Sequence, residues 1–171
     1  MKIRLTAIAL FVIGFVAGCE HLPLYALRVQ GGIGSGLYEA GQIVEIAAEP
    51  PPGWRFLAWE GHIEPLTHPR RDSQTLSMPA RNLELRAYIL PDTLLSFRYE
   101  VFPIIRQYCA LSGCHLNVTR QSNFTSYEEV AHSAGLMERN INIGFMPLNS
   151  EMPNEAKQLI LDWIAQGVQN N

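Results

Sequence analysis

The sequence predicts two small domains in tandem: an all-β domain over residues 19–90, then an all-α domain over residues 97–171, with a linker at 91–96 between them. Two observations carry this. Residues 24–90 place β-branched and aromatic residues in alternation between clusters of glycine and proline, and nowhere show a helical period. Beyond Leu90-Pro91-Asp92-Thr93 the apolar residues recur at helical spacing instead. A third observation removes the N-terminus from the fold. Lys2 and Arg4 precede the uncharged apolar run Leu5–Val16, which falls short of the roughly 20 residues a bilayer span requires. It fits the core of a signal peptide over residues 1–18.

The run ends in Val16-Ala17-Gly18-Cys19. Small residues before a cysteine resemble the lipobox of bacterial lipoproteins. The resemblance implies cleavage after Gly18, lipidation of Cys19 and an exported chain anchored by lipid to a bacterial membrane, on its periplasmic side or at the cell surface. The alternative is an uncleaved N-terminal anchor with an incidental cysteine. Lipidation of Cys19 would leave Cys109 and Cys114 as a local pair in an oxidising compartment. The chain carries 13 Lys and Arg against 16 Asp and Glu and has no basic stripe, so nucleic acid is not an expected partner.

About five short strands are expected in the first domain: Leu24–Gln30, Ile43–Ala47, Trp54–Trp59, Ser73–Met78 and Leu83–Ile89. Gly31–Gly36 and Pro50–Gly53 read as turns. The glycine cluster is a poor nucleotide loop, because its spacing is wrong and another strand follows it rather than a helix. The stretches "VQGGIGSGLYEAGQIVEIAAEPPPGWRFLAWEG" and "SMPARNLELRAYI" resemble the divergent internalin-B-type B-repeat, a β domain of bacterial surface proteins. The insertion "HIEPLTHPRRDSQT" is longer and more polar than that pattern. The resemblance implies a grasp-like β fold with no enzymatic site, a protein or glycan as its ligand, and core or groove positions for Trp54, Phe56 and Trp59.

In the second domain Pro103 suits a first helical position, since its missing N–H costs nothing there. Phe102, Ile104, Ile105, Tyr108 and Cys109 can share a face. Thr125–Glu129 offers a capping box for a helix reaching about Ala134. Ala156, Leu159, Ile160, Trp163 and Ile164 define a helix over Asn154–Gln166, stopped by Gly167. "GFMPLNSEMP" lies between these two helices.

The chemistry gathers in Cys109-Ala110-Leu111-Ser112-Gly113-Cys114-His115. Covalent haem attachment usually uses C-x-x-C-H, two thiols to tether the porphyrin and an imidazole for the iron. Here four residues separate the cysteines, and Ser112-Gly113 gives the loop room to bulge. A Cys109–Cys114 disulfide, part of a zinc site, and chance are the rivals; zinc lacks a fourth ligand in sequence. A haem c iron takes a second axial ligand, commonly Met or His. Met146 and Met152 each precede proline, which restricts the backbone before it. Met146 is the favoured distal ligand, Met152 the second choice and His132 the bis-histidine alternative. Met78 and Met137 read as core.

The runs "VFPIIRQYCALSGCH", "NFTSYEEV" and "GFMPLNSEMPNEAKQLILDWIAQGV" resemble, in order, the helix start and haem motif, the middle and the Met-Pro loop with closing helix of a class I cytochrome c domain over residues 97–168. The resemblance implies one covalently attached haem c, tethered by Cys109 and Cys114 and ligated by His115 and Met146. A filled sixth coordination position implies electron transfer to an unidentified redox protein rather than catalysis. The longer loop is the departure from the pattern, and it bears on the Cys109 thioether. The alternatives are a non-redox surface-binding lipoprotein with a Cys109–Cys114 disulfide, and a haem-based gas sensor in which Met146 dissociates.

Overall fold

A computed structural model describes residues 22–119, 122–148 and 151–171. The expected leader at 1–18 and the expected lipidation site Cys19 lie outside the described residues. Seven strands come first: β1 (Leu24–Gln30), β2 (Gly32–Ile33), β3 (Gly36–Glu39), β4 (Ile43–Ala48), β5 (Trp54–Gly61), β6 (Ser73–Ser77) and β7 (Leu83–Pro91). They form a four-stranded sheet of order β3-β1-β7-β5 and a three-stranded sheet of order β2-β4-β6. All pairings are antiparallel except β1 with β7.

The two strands beyond the five expected from sequence come from the glycine cluster, which is more than a turn. After β1 the chain bends at Gly31, pairs β2 with β4 in the second sheet, then returns as β3 to pair with β1 in the first. Glycine is required where these backbones meet: a Cβ on Gly32 would sit 2.2 Å from the Ala47 carbonyl oxygen. Alternation in β4 and β7 sends Val44, Ile46, Leu83, Leu85 and Ala87 into a core shared with Leu27, Trp59, Leu76 and Met78. The polar insertion closes this core. It carries the buried Leu66, and its Pro69 and Arg71 carbonyls accept hydrogen bonds from the Trp59 main chain (2.7 Å) and indole (2.9 Å). Phe56 packs its ring against Trp59. Trp54, expected inside or in a groove, is 43% exposed at the start of β5, where it pairs with Pro91.

β7 runs through Pro91, so the connection is shorter than the expected 91–96 linker. It is also tied down. Leu95 N–H donates to the Gln166 side chain (2.9 Å), whose amide donates to the Thr93 carbonyl (3.1 Å). Ser96 then caps a π-helical turn, Phe97–Val101, that leads into α1 (Phe102–Tyr108). α2 (Tyr127–His132) starts at the expected capping box, made by Ser126 and Glu129. α3 (Ala134–Asn142) was not foreseen as a separate helix; Ser133 makes the bend that divides it from α2. α4 spans Asn154–Ala165, and Gly167, with φ +94°, stops it. Trp163 is fully buried, its ring 5.2 Å from Phe97 and its indole N–H bonded to the Gln169 carbonyl. Val101, Ile105, Val130, Met137, Ile141 and Ile160 complete the helical core.

Charged groups join the halves. The Glu60 carboxylate accepts from Tyr99 Oη (2.8 Å), Arg98 Nη1 (3.0 Å) and Arg86 Nη2. Arg55 bridges Glu100 (2.8 Å) and the Leu94 carbonyl (2.7 Å). Arg70, from the polar insertion, donates to the Tyr99 carbonyl (2.7 Å). Burial works to raise the Glu60 carboxyl, but hydrogen bonds from Arg86 and Tyr99 and the charges of Arg86 and Arg98 outweigh it and hold the group below its usual range. Burial and the bond to Glu60 push the Tyr99 phenol up to about 12.

Candidate functional site

The end of α1 builds one wall of the site. Cys109 N–H and Ala110 N–H both return to the Ile105 carbonyl, closing the helix. The chain then reverses tightly: Leu111 N–H bonds the Cys109 carbonyl and Cys114 N–H bonds the Leu111 carbonyl. Gly113, at φ +80°, supplies the corner that a side chain would strain. The four-residue gap thus closes on itself and brings both cysteines, half-buried, beside His115. Burial, and then the neighbouring Cys114, push the Cys109 thiol up to about 11.

His115 is held from two sides. Its ring lies flat on Phe124, with centroids 4.1 Å apart and planes 10° apart. Its Nδ1 is 2.7 Å from the Ser122 carbonyl oxygen. A carbonyl only accepts, so Nδ1 carries the proton. That leaves Nε2 as the ring nitrogen available to a ligand, the arrangement a metal-ligating histidine uses when a carbonyl orients it.

The opposite wall comes from α3 and the loop after it. The Asn140 carbonyl accepts from both Phe145 N–H (2.9 Å) and Met146 N–H (3.1 Å), fixing the methionine to the end of the helix. The Met146–Pro147 peptide is cis. Between the walls lies a mainly apolar cavity of about 410 Å³, lined by Cys109, Cys114, His115 and Met146 together with Phe124 and Met137. Ligand pockets commonly span about 300–1,000 Å³. Met152 also reaches this cavity but is itself buried in the helical core, whereas His132 is exposed and does not line it. Among the described residues no cluster of three or more His, Cys, Asp or Glu could hold a metal ion. Nor is any helix among them long and apolar enough to cross a membrane.

Residues 26–88 match the family model of the divergent InlB B-repeat domain. The match spans most of the β unit, from within β1 to within β7. It ends before Ser96, so the B-repeat and the cavity occupy different parts of the chain. No curated protein and no solved structure matches the chain.

Sequence reasoning named the cysteines, His115 and Met146, and missed Ser122, Phe124, Ser133 and Asn140. The last two were legible in principle: Ser133, Met137 and Asn140 recur at helical spacing, one face of a helix that the expected boundary at Ala134 had cut off. Ser122 and Phe124 carry no such signal, because their contacts to His115 depend on how the loop returns.

Proposed function

We propose that the helical unit is a class I cytochrome c-like domain that binds one covalent haem c for electron transfer, carried by a lipoprotein anchored through Cys19. The observation that carries the reading is the convergence of four residues on one apolar cavity. Cys109, Cys114 and His115 come from the end of α1, and Met146 comes from beyond α3. A disulfide loop or a chance cluster has no need of a methionine across a cavity from an oriented imidazole.

In this role Cys109 and Cys114 would tether the porphyrin through thioethers, and His115 Nε2 and Met146 Sδ would ligate the iron. The haem, when bound, supplies a one-electron Fe(III)/Fe(II) couple. The Ser122 carbonyl keeps His115 in the ligating tautomer, and Phe124 fixes the plane of its ring. Leu111, Leu136, Met137 and Ile141 line the cavity with apolar surface, which would favour the less charged state of a centre bound there. A thioether ligand favours Fe(II) as well. An unidentified redox protein would exchange the electron. The B-repeat would add a protein or glycan contact at the membrane surface.

The test is the absorption spectrum of the full chain expressed with cytochrome c maturation machinery. A Soret band and a narrow reduced α band that survive acid-acetone extraction are expected, and Met146→Ala should convert the ferric centre from low to high spin. A chain without a Soret band, lighter by two hydrogens, would instead be the disulfide-bearing surface protein. An unchanged spectrum in Met146→Ala would move ligation to Met152 or His132.

A further inference from the structure

Ser133 stands at the bend between α2 and α3, where a serine ordinarily caps the following helix with its hydroxyl. Here the hydroxyl caps nothing. The residue is 5% exposed, its Oγ has no hydrogen-bond partner among the described residues, and it lines the cavity. Buried polar atoms in native interiors are paired almost without exception, because an unpaired one forfeits the bond it would make in water. Asn140 lines the same cavity two helical turns further on, with Met137 between them. The wall that α3 presents therefore carries a hydroxyl and a carboxamide within an apolar surface. Among the described residues no Asp, Glu, Lys or Arg lines the cavity.

We propose that Ser133 Oγ donates a hydrogen bond to a carboxylate oxygen of the group bound in the cavity, with the Asn140 amide as a second donor. This rests on the haem reading, since the only strongly polar groups on the rim of a porphyrin are its two propionates. A carboxylate is the acceptor that best satisfies a buried hydroxyl, through a short charge-assisted bond. The sulfur of Met146 is a weak acceptor and a poor substitute.

Two measurements on the full chain test this. In protein loaded by the maturation machinery with haem carrying ¹³C at its propionates, the redox-difference infrared spectrum reports the carboxylate stretch. Ser133→Ala should shift that band, and Ser133→Thr, which keeps the hydroxyl, should restore it. In a Cys109→Ala/Cys114→Ala background, where haem binds reversibly, Ser133→Ala should weaken hemin binding about tenfold to a hundredfold. It should leave the binding of hemin dimethyl ester, which has no carboxylate, unchanged. If that background fails to fold, the infrared result decides alone. Equal weakening of hemin and its ester, or an unshifted band in a normally loaded Ser133→Ala protein, would overturn the Ser133 assignment and leave the haem reading standing. A wild-type chain that takes up no haem would overturn both.

Discussion

The two halves of this chain close their cores differently. The B-repeat is stapled by long-range strand pairing, and its polar insertion folds back to seal Trp59 with two hydrogen bonds. Leu27, Ile46, Trp59, Leu85 and Met78 fill it with little left exposed. The helical half packs short helices, none longer than the 12 residues of α4, around Trp163 on one side and a cavity of about 410 Å³ on the other. Helices this short are marginal alone and draw their stability from what they pack against. One half thus completes its core with its own side chains, while the other encloses an apolar cavity beside its core.

Paired tryptophan variants test that contrast most strongly. Trp59→Ala and Trp163→Ala should each cost about 3–5 kcal/mol in haem-loaded protein. In protein made without haem, Trp59→Ala should keep its cost, whereas Trp163→Ala should leave the helical half unfolded. Urea unfolding followed by far-UV circular dichroism, with the Soret band as a second probe when haem is present, separates these outcomes. A single transition, equally sensitive to both variants with and without haem, would mean that the charged junction fuses the two cores into one cooperative unit.

The contrast also governs how much could be read beforehand. Five of the seven strands followed from alternation and turn residues, yet β2 and β3 were hidden, because a glycine run that crosses between sheets looks like any other turn until its partners in β4 and β1 are known. Trp54 was misplaced for a related reason: aromatic content does not tell which residue of a strand lies at the exposed end of a sheet. In the helical half, Cys109, Cys114, His115 and Met146 stood out by chemistry alone. Their supports did not. Ser122 and Asn140 position His115 and Met146 through main-chain carbonyls, and a carbonyl has no sequence signature. The junction was equally silent, since Arg55, Glu60, Arg70 and Tyr99 read singly as ordinary surface residues.

A smaller effect probes the wall of the cavity. The Ser126–Glu129 capping box starts α2, and Thr125 reinforces it through its own hydroxyl and N–H to Glu129. Ser126→Ala should cost about 1 kcal/mol. The loss should appear as faster amide exchange in α2 and the bend at Ser133, with the B-repeat strands unaffected. Exchange that quickens equally in β4 and β7 would show that the helical half cannot loosen alone.

The junction sets the smallest effect, and its pH dependence has two edges. Tyr99 is raised in the folded chain from an ordinary value of 10 to about 12, so its contribution is complete below pH 10 and fades as pH climbs through about 12. Glu60 is lowered from 4.5, so its contribution is complete above that value and fades as pH falls through the depressed one. Both groups stay partly exposed, and salt screens them, so each edge is worth at most about 1 kcal/mol. Tyr99→Phe should abolish the alkaline edge while leaving the acid one. Tyrosinate absorbance near 295 nm should show one residue titrating late in the wild type and none in the variant. Loss of both edges on substituting Tyr99 alone would mean that the Glu60 carboxylate depends on the phenol rather than on Arg86 and Arg98. The two halves would then be joined by one hydrogen bond, with the surrounding ion pairs only lining it.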